Sequence, residues 1–396
     1  MSQTASIFCT VVPPYLLESV AEAPTESTTA EPPSGTPANP ARRGLRPSAA
    51  PQPPSAGASE DSSTFGPGLE SISPETAEIA RRTLEIDARL RHDRKRMAPD
   101  RSIVEPRGKL SRRISDAENR EVLPGKLKRS EGEAAVQDAD VNTVYDSFGS
   151  IYHFLQEVLN QSSIDGHGVA LKGSVHFGDH YDNAFWDGEQ MVFGDGDGEV
   201  FATFTRSFTV VAHELGHGFL QHTTNFDYQG QAGALNESCA DVFGIMAEQW
   251  TLKQSVEESD WFIGREVFTD QIAGDALRSM ANPGTAYDDP SLGADPQPEN
   301  MSEFVTTRED NGGVHLNSGI PNRAFYLAAT GIGGNSWEGA GRIWMDVLLS
   351  RTLPLDATFA AFADATITHA KRIFGVDSSE ANAVITAWDQ VGVLKK

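Results

Sequence analysis

Residues 213–217 read HELGH, and Glu237 follows twenty residues after the second histidine. On an α-helix, residues four apart project from one face, so His213 and His217 can offer two imidazoles to one metal ion. Glu214 lies one position round the helix, where its carboxylate can reach a metal-bound water without being a ligand. Glu237 offers an anionic third ligand. Two His, one Glu and one open position are typical of a catalytic rather than a structural Zn²⁺ site.

The flanks of this motif separate a metal site from a chance match. A bare HExxH also occurs on ordinary amphipathic helices that carry two surface histidines. Here the neighbouring positions are apolar, namely Phe208, Val210, Val211, Ala212, Phe219 and Leu220. A helix with such flanks is buried, and buried His and Glu side chains need partners. The flanks therefore favour the metal site.

Composition narrows the class of protein. The chain has 396 residues, a hydrophobic content of 39% and a net charge of −24, which indicates an acidic protein of two or three domains. The negative charge argues against nucleic-acid binding, and no apolar run approaches the length of a membrane span. The first residues lack a basic region, and Pro13-Pro14 interrupts their apolar stretch, so we expect no classical signal peptide. We expect synthesis in the cytoplasm, with export by a route that needs no signal peptide left open.

The two cysteines, Cys9 and Cys239, lie in very different parts of the chain. One is close to the N-terminus and the other is beside the proposed third ligand. We therefore expect no stabilising disulfide, and two cysteines are too few for a site built from cysteine alone.

The N-terminal third differs in composition from the rest, since 15 of the 22 prolines fall within residues 1–110. Residues 1–20 contain an apolar island, which we interpret as a docking motif. Residues 21–74 are rich in Pro, Ser, Ala and Gly and cannot bury enough surface to offset their ordering entropy. We therefore predict a disordered Pro-rich tether over 21–74.

A basic segment follows over residues 75–113, and its first part, 75–97, has a helical pattern. Twelve Lys/Arg against five Asp/Glu give residues 81–113 a net charge of +7, whereas residues 114–396 carry −25. Opposite charges of this size can draw the segment onto the acidic domain. A solvated basic helix and linker, exposed to cleavage at Lys95-Arg96, Lys109 or Arg112-Arg113, remains the alternative.

From residue 114 onward the chain has the pattern of a folded α+β protein. We predict an N-terminal lobe over 114–253 and a helical C-terminal lobe over 254–396, with the zinc helix at the floor of a cleft between them. Strand-like pieces occupy 168–204. The predicted helices cover 141–160, 207–221, 234–253, 314–331, 335–350, 357–373 and 379–391.

Four blocks of this C-terminal part resemble the thermolysin family of zinc metalloendopeptidases. They are NAFW at 183–186 with GDGDG at 194–198, HELGH at 213–217, GALNE at 233–237 continuing to Asp241, and DNGGVHLNSGI at 310–320. Chance agreement of four blocks in this order is negligible. The resemblance covers residues 114–396 and implies a two-lobe metalloprotease.

The resemblance implies a role for each polar side chain of these blocks in peptide hydrolysis. Glu214 would take the proton of the zinc-activated water and deliver it to the leaving amine. The oxyanion needs further donors, and the resemblance assigns these to His315 and Tyr228. Asp310 would orient His315. The side chains implied to hold the second ring nitrogens of the zinc-bound histidines are Asp241 and Asn236.

The same resemblance implies substrate contacts. Arg278 would bind the carbonyl of the residue that follows the cut, and Asn183 would bind substrate backbone beside it. Main-chain groups of Ala184 and Trp186 would hold the peptide extended. The apolar wall of the specificity pocket would consist of Phe201, Val210 and Leu277. A bulky apolar residue is therefore expected just after the scissile bond.

One departure from the family concerns calcium. Glu248 and Asp260 match the carboxylate cluster of a paired calcium site, but Thr209, Phe262 and Arg265 stand where the family usually has acidic residues. A cationic and an apolar side chain do not suit a calcium cage. We predict weak or absent calcium binding at this paired site.

The N-terminal stretch CTVVPPYLL at 9–17 resembles the short-precursor, protealysin-like type within the family. This resemblance implies a zymogen in which Pro13, Pro14 and Tyr15 help to occupy the cleft until self-cleavage, placed between residues 92 and 115. Whether the Cys9 thiolate takes the open zinc position stays undecided.

Two other readings compete with an endopeptidase. A catalytically silent, metal-binding scaffold would not need the catalytic side chains Glu214, His315, Asp310 and Tyr228, all of which are present. An aminopeptidase would need an anchor for the free amine of its substrate, and the sequence shows no clear candidate. We therefore expect protein and peptide substrates and the protein's own propeptide as partners.

Overall fold

The computed structural model of the protein describes residues 9–25, 66–94 and 109–394. Most of the predicted tether, at 26–65, and most of the predicted cleavage window, at 95–108, lie outside the described residues. The described part combines one six-stranded sheet with a mainly helical C-terminal half, as the α+β prediction requires.

The main sheet lies in the N-terminal half and has the order β1-β5-β6-β4-β2-β3. Its strands are β1 (Cys9–Thr10), β2 (Arg112–Arg120), β3 (Lys126–Ser130), β4 (Leu171–Phe177), β5 (Ala184–Trp186) and β6 (Met191–Phe193). The β2–β4 and β4–β6 pairs are parallel, and the other pairs are antiparallel. The edge strand β1 therefore comes from the N-terminal segment and pairs with β5. Two small two-stranded sheets, β7 (Phe262–Ile263) with β8 (Arg278–Ser279) and β9 (Asp288–Asp289) with β10 (Gly293–Ala294), follow in the chain.

Ten α-helices are present among the described residues. They are α1 (Pro14–Glu22), α2 (Pro74–Arg94), α3 (Ala139–Leu159), α4 (Phe208–Gln221), α5 (Gly230–Leu252), α6 (Asp310–Asn317), α7 (Gly319–Ile332), α8 (Ala340–Ser350), α9 (Phe359–Phe374) and α10 (Ser379–Gln390). Helices α7 to α10 form the core of the C-terminal lobe, where the indoles of Trp344 and Trp388 stack. None of the helices described is both long enough and apolar enough to cross a membrane.

The predicted helix over 314–331 corresponds to the later part of α6 and to α7, which meet at Ser318. Ser318 itself keeps a right-handed helical backbone, with φ −61° and ψ −22°. The residues just before the predicted helix, Asn311, Gly312 and Gly313, have positive φ values. Glycine adopts this backbone conformation without steric cost, which the helical pattern of apolar residues does not reveal.

Helices α4 and α5 pack closely because small residues lie where they cross. A Cβ atom on Gly216 would lie 3.1 Å from the Cα atom of Ala240. Every residue from Thr209 to Leu220 of α4 is buried, as the apolar flanks predict. This approach brings His213 and His217 on α4 against Glu237 on α5.

The N-terminal helices α1 and α2 pack against the part of the chain that begins at β2. The predicted tether over 21–74 extends too far at both of its ends. Residues 21–22 belong to α1, and the N–H of Ile72 donates to the carbonyl of Pro24 at 2.9 Å. Ile72 is fully buried. A local composition rule missed this pairing because the two partners lie far apart in sequence.

Helix α2 packs against the part of the chain that begins at β2, but charge is only part of its contact. Arg82 and Arg89 form exposed ion pairs with Asp179 and Glu121, and exposed pairs contribute little. Two side chains of α2 make the buried contacts. Thr83 accepts a hydrogen bond from the backbone N–H of Asp182, and Asp87 accepts one from the Tyr181 hydroxyl. Burial and specific hydrogen bonds therefore hold a helix whose sequence suggested mainly electrostatics.

The large folded part of the chain begins slightly before residue 114, the predicted boundary. Arg112 and Arg113 already lie in β2, and the guanidinium of Arg112 pairs with Glu131 at 2.6 Å and covers the ring of Tyr145. These two residues are not part of an exposed linker. The cleavage window of 92–115 therefore loses its last four positions.

Candidate metal and peptide-binding site

Four donor side chains converge where β1, α4 and α5 meet. The ligand atoms of Cys9, His213, His217 and Glu237 all lie within 4.8 Å of one another, and all four residues are buried. The two histidine Nε2 atoms are 3.0 Å apart, and the Glu237 oxygens lie 3.6 Å from His213 Nε2 and 3.7 Å from His217 Nε2. The structure thus brings together the three residues predicted to bind the metal, with a cysteine in addition.

The orientation of both imidazoles is set by the neighbouring helix α5. Asp241 Oδ1 lies 2.7 Å from His213 Nδ1, and Asn236 Oδ1 lies 2.7 Å from His217 Nδ1. Each acceptor requires a proton on Nδ1, which leaves Nε2 with a free lone pair in the neutral ring. Burial lowers the pKa of His217 to about 4. Two lone pairs facing each other beside a carboxylate fit a divalent zinc ion.

Charge within the cluster agrees with this fit. Burial alone would raise the pKa of Glu237, but the imidazoles of His315, His217 and His213 hold it at about 2. The carboxylate is therefore ionised, and its Oε2 atom has no hydrogen-bond partner among the described residues. An ionised, unpartnered and buried oxygen is suited to a cation.

Glu214 lies beside the cluster without joining it. The residue is fully buried, and its carboxylate has no side-chain hydrogen-bond partner in the described part of the chain. Burial, and after it the charge of Glu237, raises the pKa of Glu214 well above its usual range. A carboxylate with raised proton affinity can accept and return a proton.

The two predicted oxyanion donors lie together on the opposite side of the cluster. Tyr228 Oη is 3.3 Å from His315 Nε2 and also donates to Glu237. His315 Nδ1 lies 2.6 Å from Asp310 Oδ1. Burial would lower the pKa of His315, but Asp310 and then Glu237 raise it to about 9. His315 is therefore able to donate through Nε2 at neutral pH.

Arg278 connects the metal ligands with the peptide-binding edge. Its Nε and Nη2 atoms donate to the Asp241 carboxylate, each at 2.9 Å, and its Nη1 atom donates to the carbonyl of Val11 at 3.0 Å. Asn322 also donates to Asp241, at 2.9 Å. The guanidinium is buried and held rigidly by the carboxylate.

Asn183 and Ala184 also contact the N-terminal segment. The Asn183 amide accepts from the N–H of Val12 at 2.9 Å and donates to its carbonyl at 3.2 Å, and the Ala184 carbonyl accepts from the N–H of Val11 at 3.0 Å. Trp186 pairs with Cys9 in the sheet. The predicted peptide-binding residues therefore hold an extended segment of the protein itself.

The residues predicted to form the apolar wall are all buried. Phe201, Val210 and Leu277 belong to the same continuous apolar cluster as Val11 and Val12. Phe201 stacks on Phe268 with 5.8 Å between ring centroids. The wall is thus continuous with the domain core.

Pro13, Pro14 and Tyr15 lie just beyond the hydrogen bonds to the site. Pro13 is buried and precedes α1, whose first turn contains the other two residues. The Tyr15 hydroxyl interacts with that of Tyr287. The direct contacts to the candidate catalytic residues come instead from Cys9–Val12, immediately before the prolines.

The residues at the family's calcium position make other contacts. Arg265 pairs with Asp260 at 3.2 Å and lies over the Phe262 ring, and Thr209 accepts a hydrogen bond from the N–H of Gly264 at 2.9 Å. Burial and the charge of Asp260 raise the pKa of Glu248 to about 7.

Three contributors to the site were missed from the sequence. Asn322 lies in a helical stretch with no motif, Asp87 is one acid within a basic helix, and residues 10–12 looked like part of an apolar island. Only the CTVVPP stretch carried a signal, and it indicated docking without its register.

Comparisons with known proteins agree with this geometry. Two protein-family models match the chain. The one described as "Thermolysin metallopeptidase, catalytic domain" matches residues 106–221, and the one described as "Thermolysin metallopeptidase, alpha-helical domain" matches residues 224–393. The "Extracellular metalloprotease" of Pectobacterium carotovorum subsp. carotovorum is 53% identical over 288 residues, which are 73% of this chain and 82% of that protein. The "Thermolysin" of Alicyclobacillus acidocaldarius subsp. acidocaldarius is 39% identical over 70% of this chain and 50% of that protein.

A solved structure extends the likeness to the N-terminal segments. The precursor of protealysin, a metalloproteinase from Serratia proteamaculans, is similar with a TM-score of 0.78 and 42% identity, covering 97% of this chain and 99% of that chain. The resemblance to the short-precursor type and the predicted fold class are both confirmed.

Proposed function

Because this chain belongs to the thermolysin family of zinc metalloendopeptidases, we propose that it is made as a self-processing zymogen that cuts peptides before bulky apolar residues. One observation carries the proposal. An extended segment of the chain, residues 9–12, is hydrogen-bonded to Asn183, Ala184 and Arg278, directly beside the oriented metal donors. A site that holds a peptide next to a metal centre supports peptide hydrolysis.

The proposed chemistry divides among the chain's own residues. His213, His217 and Glu237 would hold Zn²⁺, which when bound polarises the scissile carbonyl and acidifies a water molecule. Glu214 accepts the water proton and returns it to the leaving amine, for which its raised pKa is suited. His315, kept protonated by Asp310, and Tyr228 donate to the oxyanion.

The proposed preference follows from the apolar wall. The side chain that follows the cut would enter the cluster containing Phe201, Val210 and Leu277. Burial of a large aliphatic or aromatic side chain there contributes about 1.5–3 kcal/mol. A polar side chain would lose its hydration without gaining a partner.

The N-terminal segments would act as the inhibitory propeptide. Residues 9–12 occupy the peptide-binding edge, Asp87 of α2 accepts a hydrogen bond from Asn183 of that edge, and the Cys9 thiol donates to Glu237 at 2.8 Å. A substrate needs the same hydrogen-bonding groups and is therefore excluded. Cys9 is placed where its sulfur can take the open metal position, and we include this ligation in the proposal.

Activation would then require a cut in the last turn of α2 or in the segment that joins α2 to β2. Residues 112–115 lie in β2, so we place the cut between residues 92 and 111. A relative named as extracellular supports action outside the cell. The proposal includes no calcium at the paired position, because Arg265 already supplies a cation to Asp260.

The test is the intact mass of the purified, zinc-loaded chain over time, beside its Glu214→Ala variant. We expect the wild type to convert to a fragment that starts between residues 92 and 111, and the variant to stay whole. An exposed glutamate replaced in the same way, Glu303→Ala, is the matched control and should process like the wild type.

The same measurement distinguishes the proposed protease from the alternative, a metal-binding scaffold. If wild type and Glu214→Ala both bind zinc and stay whole, and neither cuts an added apolar peptide after limited removal of the propeptide, the metal-binding scaffold is correct. If Glu214→Ala processes at the wild-type rate, Glu214 is not the general base.

A further inference from the structure

The segment Cys9–Val12 lies on strand β5 with a defined direction and register. We propose that its Thr10–Val11 peptide bond occupies the scissile position, so that the inhibitory segment is itself a substrate which the enzyme cuts once Cys9 leaves the metal donors. This inference rests on the proposed function and names a specific bond for it. The bond lies far in sequence from the activating cut between residues 92 and 111.

The direction is that of an added antiparallel strand. Cys9 pairs with Trp186 and Thr10 with Phe185, and the N–H of Val11 donates to the carbonyl of Ala184 at 3.0 Å. A peptide that extends a sheet edge in this way is held by main-chain hydrogen bonds. The segment is therefore bound as an extended peptide would be.

The register follows from the two carbonyls that face charged donors. The carbonyl of Thr10 lies 3.0 Å from Nε2 of His315, the proposed oxyanion donor. The next carbonyl, that of Val11, accepts from Arg278. A donor that stabilises an oxyanion must face the carbonyl under attack. The attacked carbon is therefore that of Thr10, and the residue after the cut is Val11.

The positions on either side agree with this register. Both backbone polar groups of Val12 bond to the amide of Asn183. Val11 and Val12 are both fully buried in the apolar core, so the register rests on the backbone hydrogen bonds and not on burial. A shift of the segment by one residue would turn every side chain to the other face of the strand.

The position of Cys9 explains why the Thr10–Val11 peptide bond stays uncut in the precursor. Side chains alternate along a strand, so Cys9 and Val11 point to the same side. The Cys9 sulfur lies 2.8 Å from Glu237 Oε1 and 2.9 Å from the Tyr228 hydroxyl. The sulfur thus fills the space among the metal donors that an attacking water needs, and it engages Tyr228, which would otherwise serve the oxyanion.

Removal of the sulfur leaves every reactant of hydrolysis in place. One water adds across the bond: a C–O bond forms at the carbonyl carbon of Thr10, and its C–N bond to Val11 breaks. The water proton passes through Glu214 to the new amine of Val11. The products are a peptide that ends at Thr10 and a chain that begins at Val11. Because that peptide carries Cys9 away, the inhibitory contact cannot re-form within the chain.

The test uses the full zinc-loaded chain with Cys9→Ala, followed by intact mass and N-terminal sequencing. We expect a product that begins at Val11, formed at least about tenfold faster than in the wild type. Its rate should not depend on protein concentration, because the bond is cut by the chain that carries it. The matched control replaces the other buried cysteine, Cys239→Ala, and should retain Thr10–Val11 as the wild type does. The double variant Cys9→Ala/Glu214→Ala should stay uncut.

A Cys9→Ala chain that cuts an added apolar peptide but leaves Thr10–Val11 intact overturns the register while the proposed function stands. A chain that cuts neither refutes the proposed function. The register is then judged by amide hydrogen exchange of the metal-free Glu214→Ala chain. In that chain, Asn183→Ala should lower the exchange protection of the Val12 N–H at least about tenfold. It should lower the protection of the Val11 N–H by a smaller factor. An equal or larger loss at Val11 overturns the register.

Discussion

Asp241 serves two functions through a single buried carboxylate. It lies 2.7 Å from Nδ1 of the proposed ligand His213, and it accepts two hydrogen bonds from Arg278 and one from Asn322. Burial would raise the pKa of Asp241, but the charge of Arg278 and then that of His213 hold it well below its usual range. The same carboxylate therefore orients His213, the proposed metal ligand, and holds the guanidinium of Arg278, the proposed substrate contact, in place.

Replacement of this carboxylate should affect metal binding and folding together. We expect Asp241→Asn to lower zinc affinity about 10–100-fold, because His213 loses its anionic partner. It should lower the free energy of unfolding by about 3–5 kcal/mol, because Arg278 becomes an uncompensated buried charge. Zinc retention against a chelator and urea unfolding measure the two effects. The exposed Asp364→Asn is the control, and equal behaviour of both variants would refute this role.

Helix α2 meets the catalytic lobe through a buried acid. Asp87 accepts hydrogen bonds from the Tyr181 hydroxyl and, at 3.1 Å, from the amide of Asn183, the same amide that binds Val12. Burial raises the pKa of Asp87 to about 6, against the lowering effects of Tyr181, Arg91 and Asn183. The helix thus contacts the peptide-binding edge as well as covering the surface.

This contact should make the precursor less stable as pH rises. The pKa of Asp87 is raised in the folded state, so that state binds the proton more tightly, and stability falls between about pH 4 and pH 6 as the proton is lost. A shift of about two units corresponds to about 3 kcal/mol at most. We expect Glu214→Ala/Asp87→Asn to gain up to this amount relative to Glu214→Ala between pH 4 and pH 7. Urea unfolding across that range measures the gain, and a constant difference would show that Asp87 is not desolvated.

At the scale of the whole protein, the predicted weak calcium binding raises the question of what stabilises the fold in its place. Helices α4 and α5 pack closely where small residues such as Gly216 and Ala240 lie at their crossing. Just after β7, Arg265 provides the positive charge beside Asp260. A tethered guanidinium costs no binding entropy from solution, so the acidic cluster is partly neutralised whatever the calcium concentration.

Thermal unfolding tests this arrangement. Millimolar Ca²⁺ should raise the Tm of the Glu214→Ala precursor by less than about 1 °C, because a ligand stabilises only the state that binds it. Arg265→Asp should lower Tm in the absence of calcium through repulsion with Asp260. Recovery of that loss on addition of Ca²⁺ would show that only the guanidinium excludes the ion. A large response of the unmodified precursor would contradict the prediction of weak calcium binding.

The HELGH motif and Glu237 could be interpreted from sequence alone, because ligand type and helical spacing are local properties. The spacing of apolar residues every three to four positions likewise predicted most helices to within a few residues. The four family blocks predicted the two lobes. The GDGDG stretch is typical of a turn, and Gly196 and Gly198 do adopt positive φ values, which glycine reaches at no steric cost.

Other features depend on residues that are distant in sequence, and only the folded chain shows them. Hydrogen bonds from Asn322 to Asp241, from Asn183 to Asp87 and from Arg278 to Val11 join positions 81, 96 and 267 residues apart. Composition indicated a docking motif within residues 1–20, but strand register is set by pairing with an edge whose position depends on the whole sheet. Ligand chemistry is thus encoded locally, whereas the direction of the bound segment, the bond facing His315 and the burial of Asp87 arise from packing.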